Sequence, residues 1–282
     1  GVNASRGTRF SLRPGLVGNL PTATVVIPTY HPAYYLHAGS DPRIKQAIIA
    51  DLTMAREMLA GRVSARLEVT ESASAVMSDL ATPVGFDIET APDGTGFRVG
   101  TLATAAGEYV AITDPQEMFD LVSVRTGPVA SWNARFDLGV LRQIDPIKAP
   151  LLEQLDIQDG MLLLHLLDSG RKGRYGLEQA VIDEFGHADP EWLESKRLVH
   201  AGIEIPLDRL TRYCAQDSTY GLRLFNRFRS RFVNNLKLWT LYQNITIPTM
   251  HLLTQVECQP VPLDVAYIQT VDTEIATRMA TL

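Results

Sequence analysis

Val84-Gly85-Phe86-Asp87-Ile88-Glu89-Thr90 is the stretch whose reading decides the fold. Apolar and polar positions alternate in it with a period of two, which sends successive side chains to opposite faces of a strand. Val84, Phe86 and Ile88 are expected in a core. Gly85, Asp87 and Glu89 face the other way, so two carboxylates project side by side with a glycine leaving room beside them. Like charges this close raise each other's proton affinity unless a cation sits between them. An Asp-x-Glu pair alone reads most simply as a solvated strand face, so its meaning depends on the rest of the chain.

Outward from that strand, residues 62–233 read as an α/β domain. Short strands are predicted over 66–70, 84–89, 97–103, 108–112 and 128–132, with Asp93-Gly94-Thr95-Gly96 as a turn between two of them. Helices are predicted over 135–144, 157–167, 175–185 and 207–232. Strands first and helices later imply a mixed sheet covered by helices. Upstream, Ala23-Thr24-Val25-Val26-Ile27 is strand-like and closed by Pro28, and a loop holds His31-Pro32. A helix then starts at Asp41-Pro42, carries Ile44, Ile48, Leu52, Ala55 and Leu59 at helical spacing, and stops at Gly61. Residues 236–282 read as two helices joined by the extended piece Gln259-Pro260-Val261-Pro262.

Two further segments carry chemistry-bearing residues. In Ser131-Trp132-Asn133-Ala134-Arg135-Phe136-Asp137-Leu138 a strand passes into a helix, with Asn133 as its expected N-cap. Asp137 falls one turn later, near the positive end of the helix dipole, where acidic residues usually do no more than complement that dipole. In Tyr213-Cys214-Ala215-Gln216-Asp217 the phenol and the carboxylate share a helix face at i and i+4. Gly221, one turn on, leaves space above them.

Composition bounds the reading. The 282 residues suffice for one large domain with flanking pieces. The 32 acidic residues outweigh 26 basic ones, for a net charge of −6. That balance counts mildly against gripping duplex DNA through many phosphates, is tolerable for an enzyme that holds only a strand end through metal ions, and alone decides nothing. No apolar run approaches about 18 residues, so no membrane span is expected. Gly1-Val2-Asn3-Ala4-Ser5-Arg6 lacks the order of a secretory signal. Cys214 and Cys258 are far apart, which fits a reducing, cytoplasmic setting with neither a disulfide framework nor a zinc site.

Taken in order, the Asp-x-Glu strand, the Asn-x3-Asp junction and the Tyr-x3-Asp helix resemble the three motifs of the DEDDy 3′→5′ exonucleases. Asp156-Ile157-Gln158-Asp159-Gly160-Met161-Leu162-Leu163-Leu164-His165-Leu166-Leu167 and Gly176-Leu177-Glu178-Gln179-Ala180-Val181 are similar to the helices between the second and third motifs. The resemblance covers residues 62–233 and implies a ribonuclease H-like mixed sheet flanked by helices. It also implies phosphodiester hydrolysis with two divalent ions, Mg²⁺ or Mn²⁺. Such ions generate a hydroxide at neutral pH and neutralise the leaving oxygen, and as hard cations they take carboxylate ligands. By resemblance, Asp87 bridges both ions, while Glu89 and Asp217 complete the ion that activates water. Glu89 also helps orient that water, Asp137 holds the second ion largely through water, and Tyr213 positions the nucleophile. Thr90 and Asn133 are then expected at the nucleic acid. Arg171, Lys172 and Arg174 form a basic loop able to meet phosphates, although a merely solvated loop is its plainer reading. One departure stands out. Polymerase-linked members carry an apolar wedge soon after the first motif, where this chain has Ala91-Pro92-Asp93-Gly94. The strand-end contact is therefore expected from elsewhere, with Phe97 or Leu102 as candidates.

The flanks resemble two other families. The segment from Asn244-Ile245-Thr246-Ile247-Pro248 through Glu257-Cys258-Gln259-Pro260-Val261-Pro262-Leu263-Asp264 is similar to the start of the polymerase domain of family A DNA polymerases. The family's glycine is replaced near Gln259-Pro260. Residues 234–282 are thus expected to begin a polymerase domain, and the chain stops before any polymerase catalytic motif. At the other end lie Arg6-Gly7-Thr8-Arg9-Phe10, the run Val26-Ile27-Pro28-Thr29-Tyr30-His31-Pro32-Ala33-Tyr34-Tyr35-Leu36, and Asp51-Leu52 in the helix beyond. Together these resemble the C-terminal end of a family-4-type uracil-DNA glycosylase across residues 1–61. In that family a histidine, here matched by His31, bonds the flipped base. The glycosylase's first catalytic motif and its cluster cysteines are missing, so no independent glycosylase activity is expected.

A glycosylase–exonuclease–polymerase fusion, as in some phage-type polymerases, would make the three pieces coherent. The leading expectation is a proofreading exonuclease that releases nucleoside 5′-monophosphates from single-stranded or frayed DNA 3′ ends. An RNase D-like exoribonuclease shares the same metal residues and stays open. A catalytically silent exonuclease-fold scaffold in a replication protein also stays open, although the intact set of Asp87, Glu89, Asp137, Tyr213 and Asp217 argues against it.

Overall fold

The computed structural model describes residues 10–11, 25–26, 29–59, 67–170, 175–186, 188–232 and 235–280. Near the N-terminus, β1 (Phe10–Ser11) and β2 (Val25–Val26) pair antiparallel, and α1 (Pro32–His37) and α2 (Pro42–Leu59) follow. Helix α2 begins at the proline that the sequence marks, while Gly61, its expected stop, lies outside the described residues. The His31-Pro32 loop instead opens a short helix. His31 is its N-cap, and Nδ1 accepts the Ala33 amide at 3.2 Å.

The central body is built from β3 (Thr70–Glu71), α3 (Ala73–Met77), β4 (Val84–Thr90), β5 (Phe97–Ala103) and β6 (Glu108–Ile112), then α4 (Pro115–Ser123), β7 (Val129–Ser131) and α5 (Ala134–Ile144). A 3₁₀ turn (Ala149–Gln154), β8 (Ile157–Asp159), α6 (Gly160–Leu167), α7 (Leu177–Phe185), α8 (Pro190–His200) and α9 (Leu207–Arg231) complete it. After it come α10 (Leu236–Leu241), a π-helical turn (Tyr242–Thr246), α11 (Ile247–Glu257) and α12 (Val265–Ala280). The sheet runs β3-β6-β5-β4-β7-β8. Strand β5 is antiparallel to both its neighbours, and the remaining pairs are parallel. This is the α/β class expected, a mixed sheet flanked by helices.

Local differences separate expectation from structure, among them the short helix α3, which the sequence does not mark. The strand expected over 66–70 is reduced to Thr70–Glu71, and residue 66 is not described. The helix expected over 157–167 is an edge strand for three residues before it turns helical at Gly160. A short apolar run fits either state by periodicity alone. Helices α4 and α8 were not anticipated, yet each opens with the same local chemistry. Asp114 and Asp189 cap the first-turn amides of Glu117 and Glu191 at 2.8 and 2.9 Å, and proline follows each cap.

The alternation in β4 holds. Val84, Phe86 and Ile88 pack with Leu102, Ile112, Phe119 and Leu138 on one face of the sheet. On the other face α9 crosses β4 backbone to backbone: a Cβ on Gly85 would sit 1.9 Å from the carbonyl oxygen of Ser218. Any side chain at Gly85 would force the helix away. Among the described residues, no helix is long and apolar enough to cross a membrane.

Candidate active site

The close approach of β4 and α9 converts two distant motifs into one site. Asp87 and Glu89 project from β4 toward the helix that carries Tyr213 and Asp217. Carboxylate oxygens of Asp87, Glu89 and Asp217 all lie within 4.8 Å of one another. The register of β4 against β5 shifts between Glu89 and Thr90, a bulge that turns the strand end just past the second carboxylate. The cluster opens into a cleft of about 550 Å³ whose walls include Trp132, Asn133, Phe136, Lys196, His200 and Tyr213.

Charge concentrated in so small a space changes the acids. Burial, with the neighbouring Glu89, Asp217 and Asp137, holds Asp87 well above the usual carboxylate range. Burial and Asp217 push Glu89 from 4.5 to about 8, against the opposing pull of Lys196. No donor from the described residues reaches Asp87 Oδ2. A hard divalent cation would give that oxygen the partner it lacks. Tyr213 is buried beside the acids, which keeps its phenol protonated and therefore a donor.

Asp137 stands behind this group rather than within it. It is only 2% exposed. Its oxygens accept the Ile88 amide at 3.0 Å and the Ser131 hydroxyl at 2.6 Å. Burial nonetheless pushes it to about 8, and Asp87 and Glu89 both feel its charge. The site thus joins three carboxylates directly and a fourth electrostatically.

The chain resembles a DNA polymerase I. It is 27% identical to DNA polymerase I of Chloroflexus aurantiacus over 224 residues, covering 73% of this chain and 21% of that protein. The chain therefore spans about a fifth of the relative's length. No family model matches the sequence. Among solved structures, NrnC of Brucella melitensis bound to pGG is 14% identical, with 66% of this chain and 90% of that one covered and a TM-score of 0.47. The apo form of a nuclease is also 14% identical, over 69% and 96% of the two chains, with a TM-score of 0.48.

The other expected site residues divide. Asn133 lines the cleft, but it does not cap α5 with its side chain. Its backbone is left-handed (φ 70°), and Asp159 caps the helix from β8 by accepting the Ala134 amide at 2.9 Å. Asparagine tolerates that conformation better than most residues. Thr90 lines an adjoining hollow of about 230 Å³ with Pro92, Arg98, Phe136 and Ile203. Neither candidate for the strand-end contact faces the cleft. Leu102 is fully buried in the core and Phe97 packs against that core. The large apolar side chain at the cleft mouth is Phe136, 47% exposed. Arg171, Lys172 and Arg174 lie outside the described residues. Gly221 does not open space above Tyr213 and Asp217. It faces β7 and the residue after it, where a Cβ would make ordinary contact at 3.7 Å from the Trp132 amide nitrogen.

Helix α8 supplies what the sequence reading missed. Trp192, Lys196 and His200 recur every four residues and so share one face. The Trp192 indole N–H donates to Asp217 Oδ1, Lys196 Nζ lies 3.8 Å from Asp217 Oδ2, and His200 lines the cleft. The Asp189-Pro190 start and that spacing were the available signals.

Proposed function

We propose that this chain is a divalent-cation-dependent 3′→5′ exonuclease that removes nucleoside 5′-monophosphates from DNA ends and proofreads for a DNA polymerase. One observation carries the reading: two half-buried carboxylates, a buried third and a protonated tyrosine converge where β4 and α9 touch. The donor set is all oxygen, and one buried carboxylate oxygen has no donor among the described residues, which suits Mg²⁺ or Mn²⁺. The likeness to a DNA polymerase I supports DNA as the substrate.

Asp87, Glu89 and Asp217 would hold the cations, with Asp137 adding negative charge from behind. Bound there, the cations lower the pKa of a water and neutralise charge on the leaving 3′ oxygen. Glu89 orients the attacking water as a hydrogen-bond acceptor. Tyr213 donates its phenolic hydrogen to the nucleophile's oxygen and fixes its line of approach. Phe136 offers a ring against which an unstacked terminal base can rest, in place of the absent wedge, and Thr90 and Asn133 lie near enough to meet the strand. On this reading residues 62–233 form the exonuclease domain, 234–282 begin a polymerase domain, and 1–61 derive from a glycosylase-like domain.

The test is nucleotide release from 5′-labelled single-stranded DNA with Mg²⁺, beside an RNA strand of the same sequence. The wild-type chain should shorten DNA one nucleotide at a time from the 3′ end. The Asp87→Ala/Asp217→Ala variant should be inactive while keeping its circular dichroism. Undiminished degradation by that variant would defeat the assignment, and preference for the RNA strand would replace the substrate.

A further inference from the structure

We propose that Lys196 is a catalytic residue of this site, a fixed cation that binds the non-bridging oxygens of the scissile phosphate and keeps hold of the phosphate in the product. The inference rests on the exonuclease reading above and adds to it a residue from outside the three motifs.

The lysine is held in place from both sides. At the start of α8, Asp189 caps the Glu191 amide at 2.9 Å. Its other oxygen accepts the Leu67 amide at 3.0 Å and the Gln216 side chain at 3.1 Å, tying the helix to α9. Trp192 is fully buried and donates to Asp217. One turn on, the Lys196 side chain is 14% exposed, and its ammonium stands 5.4 Å from the Trp192 ring centre and 5.9 Å from that of Tyr213. The aliphatic stem is thus covered, and the charged head faces the carboxylates and the cleft.

The pairing with Asp217 does not use up the ammonium. At 3.8 Å the contact is electrostatic and longer than a hydrogen bond. A lysine carries three donors, so it can serve a further acceptor in the cleft. Charge balance says which kind. Four carboxylates and two divalent cations sum to zero. A phosphodiester adds one negative charge, and attack by hydroxide adds another. Lys196 makes the complex with substrate neutral and halves the excess at the transition state, where a preorganised cation is worth most. Phosphate is the group that brings that charge to this position. Hydrolysis leaves it as the dianion of a nucleoside monophosphate, still beside the lysine.

The experiment compares wild type with Lys196→Met and Lys196→Arg in the full chain. Three quantities are read: single-turnover rate on single-stranded DNA with Mg²⁺, affinity for thymidine 5′-monophosphate by calorimetry in Ca²⁺, and Mn²⁺ binding by electron paramagnetic resonance. The methionine variant should lose about a hundredfold in rate and about tenfold in monophosphate affinity. It should bind Mn²⁺ at least as tightly as wild type, because a competing cation has gone. Arginine should recover most of the rate. A methionine variant that matches wild type in rate and monophosphate affinity would reduce Lys196 to a partner of Asp217 and leave the exonuclease reading standing. Loss of Mn²⁺ binding together with rate would make the role structural and overturn the proposal. A wild-type chain that releases no nucleotide would end the exonuclease reading, and this inference with it.

Discussion

Glu89 and Asp137 keep their protons to about pH 8 without a cation, and burial and like charges hold Asp87 up with them. In an unfolded chain these acids ionise near 4. The folded state therefore binds protons that the unfolded state has released, and stability is lost as pH rises from about 4 through about 8. The melting temperature in EDTA should fall steadily between about pH 5 and pH 8.5. Adding Mg²⁺ or Mn²⁺ should restore it most at the alkaline end, where the cation no longer competes with protons. A melting temperature independent of pH and cation would mean the acids are not crowded as described. Tyr213 makes a separate prediction. With its proton retained it donates and does not act as a base, so Tyr213→Phe should slow nucleotide release by roughly 10- to 100-fold while Mn²⁺ binding persists. A wild-type rate would remove the hydroxyl from the reaction. At this scale the sequence was informative about spacing and silent about direction. The i, i+4 relation joins Tyr213 to Asp217 from spacing alone, but nothing in the Asn-x3-Asp motif tells that one oxygen of Asp137 accepts from Ile88 and the other from Ser131.

Elements decide whether those residues meet. Strand β4 was legible because alternation forces Val84, Phe86 and Ile88 one way and the acids the other. What it meets was not, since a crossing between residues 85 and 218 depends on packing across the whole domain. The glycine is the physical hinge of that crossing. Gly85→Ala would place a methyl group on the Ser218 carbonyl. The backbones must then part, at a cost of about 3 kcal/mol or more, and the carboxylates of β4 must move away from Asp217. The variant should unfold earlier in urea and lose divalent-cation binding, whereas Gly94→Ala, at a turn with open space around it, should leave cation binding intact. Equal cation affinity in the Gly85 variant would show that the close crossing is not what builds the site. Helix α8 was lost for a different reason. Its apolar residues are few, so periodicity is weak, and its cap signal at Asp189-Pro190 was the better guide.

At the scale of the molecule, the segment after α9 is bound into the same cores as the sheet. Tyr242 is fully buried, and its hydroxyl accepts the Asp159 amide at 2.7 Å, the residue that caps both α5 and α6. Met250 is 4% exposed and packs in the cluster that holds Phe86 and Leu138. Arg135 and Glu257 pair at 3.0 Å across the same contact. The sequence marks a change of character near residue 234, because the resemblance changes family there, yet the packing does not stop at that point. Helix α12 behaves otherwise, with no buried side chain along its length. Stability should follow this division. Met250→Ala deletes a buried side chain from the sheet's core and should cost about 3 kcal/mol, which for a body of this size lowers the melting temperature by roughly 5–10 °C. Tyr242→Phe removes only the hydroxyl and strands the Asp159 amide, for about 1–3 kcal/mol. Ile275→Ala in α12, exposed on its helix, should shift the transition by no more than about 1 °C. Scanning calorimetry of the three variants in EDTA decides the matter. If Met250→Ala melts with wild type, α11 is an independent attachment and the core of the sheet closes without it.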